Sequence, residues 1–427
     1  MTHTTLTLTA LALSALLAAC GGSDGPGPKT QTTQVRVIGD DQGDSGAFGY
    51  KFTIQNSADL AAGFPIFTEL VAASLNAPRL CSHYSGVNTS VQFNTNPGCT
   101  SYAIAGSRIN FQPTVANNLR ALPLIGDVIN NVAPPSSPLE QVLSFLPGLG
   151  SILGNLPSLP LVGGVVQGVV NQLPGVTAGS TPLSIPNQFA AVAASGIGEK
   201  DVVIVVAGTN DAADLATVFI QSSIDQGIAF SNLVGTMGIN NADRRVAGNE
   251  YMAKLADNLY NSISGTLLTN GAKKVVVLNL PNIIQTPRLT QARATIAQAE
   301  DKVPVIREWV DTFNRRLAAN IGNEKRVVPV DYLKLLNDAV TDSKALALTN
   351  TADPTCPATG RGTLDMLPTY DIRACTSALL SANPPAGTTD PNWWKSYGFA
   401  DSVHITPYLH NLLARGVNLE LVRAGLI

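Results

Sequence analysis

The sequence predicts an α/β protein, a three-layer α/β/α sandwich around a central parallel sheet. Short apolar runs at residues 34–38, 200–207, 273–281 and 326–331 carry this expectation. Runs of that length, bounded by polar or turn residues, read as buried strands. Between and around them lie stretches of helical spacing at 64–75, 246–268 and 296–321. Strands that alternate with helices favour a parallel sheet with helices on both faces. The first run also passes at once into a turn, Gly39-Asp40-Asp41, and the second into Gly208-Thr209-Asn210-Asp211. Such turns fall at the carboxyl edge of a parallel sheet, where open α/β sheets hold their chemistry.

The chain has 427 residues, room for two or three average domains or one elaborated domain. A single domain over 35–427 is expected. The chain is 45% hydrophobic and 13% charged, against about 25% charged in an ordinary soluble protein. A net charge of -3 gives no reason to expect a nucleic-acid partner.

Part of the apolar excess lies at the N-terminus. Residues 6–19 form an apolar run too short for a comfortable membrane span. It ends in Leu17-Ala18-Ala19-Cys20-Gly21, which resembles a bacterial lipobox. The resemblance implies a signal peptide over 1–19, cleavage before Cys20, lipid on its thiol and a membrane anchor. The n-region holds His3 and neither Lys nor Arg, so an ordinary cleaved signal peptide is the alternative. Both place the mature protein outside the cytoplasm, and the lipid anchor further implies the bacterial cell envelope, at the outer membrane or in the periplasm. Residues 20–34, rich in Gly, Pro, Ser and Thr, suit a flexible tether.

Setting Cys20 aside leaves Cys81, Cys99, Cys356 and Cys375, an even number in an oxidising compartment. The simplest pairing joins sequence neighbours, Cys81–Cys99 and Cys356–Cys375. No C-x-x-C spacing points to metal or redox work, and neither metal nor cofactor is expected.

Residues 122–186 repeat Leu-Pro and Gly-Val units, and no charged residue occurs from 141 to 198. Pro and Gly interrupt the region too often for a membrane-spanning helix. It reads as short helices forming an apolar lid beside the site, as a surface resting on a bilayer or apolar substrate, or as a subdomain burying its own apolar face.

Near the C-terminus stands Asp401-Ser402-Val403-His404-Ile405-Thr406-Pro407, with His410 beyond it. An acid three residues before a His, across a turn, can hold one ring nitrogen and leave the other facing a site. Upstream lies Tyr102-Ala103-Ile104-Ala105-Gly106. Together with Gly39-Asp40-Asp41-Gln42-Gly43-Asp44-Ser45-Gly46, Gly208-Thr209-Asn210-Asp211 and the Asn279-Leu280-Pro281 segment, these blocks resemble the SGNH or GDSL hydrolases, and they come in that family's order. The resemblance implies a flavodoxin-like sheet, a monomer, and an esterase or lipase acting on a small-molecule or lipid ester. It further implies His404 as base, Asp401 as its partner, and Gly106 and Asn210 as oxyanion donors.

The departure is Asp41, which stands where the family has its nucleophilic Ser. Three readings follow. Ser45 substitutes, since Gly43-Asp44-Ser45 copies the Gly-Asp-Ser order four residues late. Alternatively, the chain is a binding lipoprotein that kept the fold and lost the nucleophile. In the third reading Asp41 is itself the nucleophile, forming an alkyl-enzyme ester that water activated by His404 then hydrolyses. Asp41 is expected at the amino end of a helix following the first strand, facing His404 and raising its pKa. Trp393 and Trp394 are expected to close a core, and His83 to lie at the surface.

Overall fold

The computed structural model describes residues 32–85, 94–111, 183–222, 226–296, 298–362 and 367–426. The leader, Cys20, most of the tether and the apolar insertion through residue 182 lie outside the described residues.

Strands β1 (Val35–Gly39), β2 (Val202–Val206), β3 (Val275–Leu278) and β4 (Val327–Val330) form one parallel sheet in that spatial order. They are Val-rich because both faces of the sheet are covered, so every position favours a β-branched apolar side chain. Arg36 is the exception. Its guanidinium meets Asp201 at 3.0 Å and Ser195 Oγ at 2.7 Å. That buried pair fixes β1 against β2 in the register Val35–Val202.

Residues 100–104 run along the other edge of β1. The Val37 N–H donates to Thr100 O at 3.0 Å, and the Tyr102 N–H to Val37 O at 2.7 Å. This irregular edge makes the doubly wound order in which the first strand lies inside the sheet and the second on its rim. The switch point therefore lies at the carboxyl end of β1, beside Asp41.

The helices used below are α1 (Phe67–Ser74), α2 (Ile185–Ala194), α3 (Thr209–Gln221), α4 (Arg244–Ser262), α5 (Pro287–Thr295), α6 (Ala299–Ile321), α7 (Tyr332–Thr341) and α8 (Pro407–Arg423). Phe67 of α1, Leu336 of α7 and Leu413 of α8 share a core with Val37, Ile204 and Val276. Phe189 of α2, Leu215 of α3, Leu255 of α4 and Phe313 of α6 share another with Ile38, Val205 and Val277. Successive strand residues thus feed opposite cores, as the period of two requires. The result is the expected α/β/α sandwich.

Three expectations need correction, the third being His83, described with the disulfides below. No helix follows β1: residues 40–50 form turns and bends, and the next helix begins at Phe67. Gly43, Gly46 and Gly49 are too closely spaced for helix propagation. Instead Asp44 accepts the N–H groups of Gly46 and Ala47 at 2.8 and 2.7 Å, closing a side-chain turn. The predicted insertion also ends too late. Ile185 and Pro186 open α2, whose Phe189 is fully buried against the sheet.

Both expected disulfides form, with Cα separations of 4.9 Å for Cys81–Cys99 and 5.4 Å for Cys356–Cys375. The first ties residues 81–83 to the sheet edge, where the His83 N–H donates to Ser101 O at 2.6 Å. His83 is consequently half-buried and stacked on Tyr102 at 4.3 Å, not a surface residue. The second lies beside the Asp401 turn, since the Cys356 N–H donates to Ala400 O at 2.8 Å. Trp394 is buried against Phe64, with ring centroids 5.8 Å apart, and closes a core as expected.

Candidate active site

Asp41 lies just past the carboxyl end of β1. Gly39 lets the chain reach that point, because a Cβ there would stand 2.2 Å from Val206 O of the neighbouring strand. Gln188 of α2 braces the same turn. Its Oε1 accepts the Gly39 N–H at 2.8 Å, and its Nε2 donates to Ser107 Oγ at 2.9 Å.

Gly106 lies in the turn after the edge segment. Asp44 Oδ2 accepts the Ala105 N–H at 2.9 Å and joins this turn to the first block. Arg108 donates to Gly106 O at 2.5 Å and forms a buried, two-pronged ion pair with Asp214 of α3. Burial raises the Asp214 carboxyl even against the Arg108 charge, whereas Arg108 is held protonated by Asp214 despite its own burial. The two N–H···O contacts are those of the charged pair.

Asn210 occupies the first turn of α3, which Gly208 can precede because its φ of 104° suits glycine. Asp211 beside it accepts the N–H groups of Ile109 and Asn110, each at 2.9 Å. The second and third blocks are thereby locked to each other.

The Asp401–His404 spacing has a direct explanation. Asp401 Oδ1 accepts the N–H groups of Val403 and His404 at 2.9 and 2.8 Å, which closes the turn. Its Oδ2 lies 2.6 Å from His404 Nδ1. Thr406 then caps α8, with Pro407 in its first turn. Thr53 Oγ1 donates to Ile405 O at 2.8 Å, and the Phe52 ring packs 5.1 Å from the imidazole.

These elements converge on Asp41. Its Oδ1 lies 3.2 Å from His404 Nε2. Its Oδ2 accepts the Asn210 side-chain N–H at 2.7 Å and the Gly106 N–H at 3.2 Å. One carboxylate therefore touches His404, Asn210 and Gly106 at once. Ionised carboxylates cannot donate, so a His between two of them carries a proton on each nitrogen. Burial alone would lower the His404 pKa, but Asp401 and then Asp41 outweigh it and lift it to about 10. Burial also works against ionised Asp41, yet His404, Asn210 and Gly106 hold its carboxyl below the usual range.

Ser45 is placed differently. Its Oγ is buried without a hydrogen-bond partner among the described residues, and the residue does not line the groove that holds Asp41 and His404. The groove is lined by Asp41, Asn210 and His404 together with Ile283, Leu289, Leu336 and Phe399. His410 lies behind the site, its Nδ1 accepting the Phe67 N–H at 3.3 Å. Burial, then the nearby Lys51 and His404, lower its pKa to about 3, so it is neutral.

Four supporting residues carried little sequence signal. Asp44 fell on a motif without a role, Arg108 was a lone charge in an apolar block, and Gln188 and Asp214 sat in ordinary helical sequence.

The pair makes a measurable difference to His404. In Asp41→Ser one of its two carboxylate partners is gone, so its pKa should fall below about 10. NMR titration of both forms measures this. Equal values would show that no ion pair forms.

No curated protein matches the chain. The family model described as GDSL-like Lipase/Acylhydrolase matches residues 43–417, beginning just past Asp41. With the blocks in order, the parallel sheet and this match over most of its length, the chain belongs to the GDSL-like lipase/acylhydrolase family.

Proposed function

We propose that this chain is an exported, lipid-anchored hydrolase of the GDSL type whose ester-cleaving site is held silent by Asp41. The observation that carries the reading is the Asp41 carboxylate itself, bonded to His404 at 3.2 Å and to Asn210 at 2.7 Å. A hydrolase of this kind needs a hydroxyl, a neutral imidazole to take its proton and an open oxyanion site. Asp41 supplies no hydroxyl, keeps His404 protonated and fills the oxyanion site with its own oxygen. Attack by this carboxylate on an ester carbonyl would give only a mixed anhydride. The contacts of His404 with Asp401, and of Gly106 and Asn210 with one Asp41 oxygen, support ester cleavage as the underlying chemistry, and the partly apolar groove suits a lipid or small-molecule ester.

The test is turnover of short p-nitrophenyl esters by the wild type beside Asp41→Ser. Activity confined to the variant supports the reading. Comparable activity in the wild type overturns it, and activity in neither would count against an ester-cleaving site and favour a binding role. Anchoring through Cys20 has its own measurement. Cells expressing the protein should incorporate labelled palmitate into the wild type and none into Cys20→Ala, which should leave the membrane fraction. An unlabelled wild type would favour the ordinary cleaved signal peptide.

A further inference from the structure

The same contacts that silence Asp41 toward acyl carbonyls arrange it for a different electrophile. Its two oxygens are not equivalent. Among the described residues Oδ2 accepts two hydrogen bonds, at 2.7 and 3.2 Å, whereas Oδ1 has the single 3.2 Å contact to His404. Oδ1 is thus the freer nucleophile, on a side chain that lines the groove. If Oδ1 were alkylated, the carbonyl oxygen left on Asp41 would be Oδ2. That atom already sits between the Asn210 amide and the Gly106 N–H, the donors that stabilise an oxyanion.

We propose that Asp41 is the nucleophile of a hydrolytic cycle on alkyl electrophiles, primary carbons bearing a leaving group that departs as a stable anion. The proposal rests on the reading of Asp41 and His404 as an ion pair that is silent toward esters.

In the first step Oδ1 forms a bond to the carbon, and the carbon–halogen or carbon–sulfonate bond breaks with its electron pair. The leaving anion departs into the groove, which Arg288 also lines. Alkylation removes the Asp41 charge, so His404 keeps only Asp401 as a partner and releases a proton to solvent. Neutral His404 then takes a proton from water as the water oxygen bonds to Asp41 Cγ. Negative charge gathers on Oδ2, facing Asn210 and Gly106. Collapse breaks the bond between Cγ and the alkylated oxygen, and His404 returns its proton to the departing alcohol. Asp41 is left as a carboxylic acid and passes its proton to His404, which restores the resting pair. The sum is alkyl halide plus water giving alcohol, halide and a proton.

The groove sets the class of alkyl group. Ile283, Leu289, Leu336 and Phe399 offer apolar contacts and suit a short unbranched chain.

The probe is 1-bromobutane with the full-length protein. In His404→Gln the alkylation step remains and the water-activating base is gone, so a butyl ester should accumulate and map to Asp41 by peptide mass spectrometry. Asp41→Asn should carry none. The wild type, turning over in heavy-oxygen water, should place the label in the Asp41 carboxylate and release bromide. This second measurement decides the matter if His404→Gln fails to fold. No butyl group on Asp41 together with no heavy oxygen in it would overturn the proposal, as would butylation confined to other residues. These readouts are separate from ester turnover. Wild-type cleavage of p-nitrophenyl esters would overturn the silent-site reading, whereas a missing adduct and label would overturn this one alone.

Discussion

Replacing Asp41 by Ser should switch ester hydrolysis on. The change supplies the hydroxyl, and it vacates the space in which Oδ2 now holds Asn210 at 2.7 Å and Gly106 at 3.2 Å. It also removes one of the two charges that lift the His404 pKa to about 10. A positioned general base contributes about 10²–10⁴-fold, and a single oxyanion donor about 10²–10³-fold. Since both effects become available together, a rise of roughly 10³-fold or more over the wild type is expected. The variant should be more active at higher pH, because only neutral His404 accepts the hydroxyl proton. The pH profile should bend at the His404 pKa read independently by NMR. Adding Asn210→Ala to the variant should take back about 10²–10³-fold. A variant that folds, yet shows neither turnover nor a lowered His404 pKa, would refute the explanation.

The second large effect concerns the Arg108–Asp214 pair under the Gly106 turn. Arg108 is buried and supplies both hydrogen bonds seen on Asp214, so Arg108→Met strands a carboxylate in the core. Removing one partner of a buried pair costs about 3–5 kcal/mol. Arg108→Met should lower the denaturant midpoint by a corresponding amount, while Arg108→Met/Asp214→Leu should recover most of it, because two well-packed apolar residues often replace a buried pair without loss. Activity should not recover in parallel. Arg108 also holds Gly106 O at 2.5 Å, and the double variant leaves that carbonyl without the guanidinium. Measured in the Asp41→Ser background, ester turnover should stay reduced in the double variant after stability returns. If stability and turnover recover together, the guanidinium acts only on the fold.

Asp44 belongs to the same scaffold in a different way. It accepts three backbone N–H groups, yet burial outweighs them and raises its pKa to about 6. Asp211 rises to about 6 for the same reason, also against two backbone N–H groups. For each, the folded value lies above the unfolded one. Their contributions are therefore complete below the ordinary carboxyl value of 3.8 and decline as pH rises through about 6. His404 follows the same sign, with its contribution complete below 6.5 and declining as pH rises through about 10. The turns that build this site thus lose support, not gain it, as the medium becomes alkaline.

Local sequence determined the strands, the fold class and the chain positions of the blocks. Val202–Val206, Val275–Leu278 and Val327–Val330 are apolar at every residue, the pattern of doubly covered parallel strands. The Asp401–His404 turn was legible because its hydrogen bonds span only two and three residues. The cysteine pairs were legible because sequence neighbours happened to be spatial neighbours. The residue at position 41 likewise stood out against the motif resemblance, which expects a Ser there.

What Asp41 does there was decided by the tertiary structure. Its partners Gly106, Asn210 and His404 come from three distant stretches, and only the sheet order brings them to one carboxylate. The missing helix after β1 was also a tertiary matter. Asp44 found partners in its own turn and in Ala105, far along the chain, so the backbone closed into turns where local pattern suggested a helix. The Arg108–Asp214 pair escaped the sequence for the same physical reason. A buried charge is tolerable only beside its partner, and that partner lay in a helix 106 residues away.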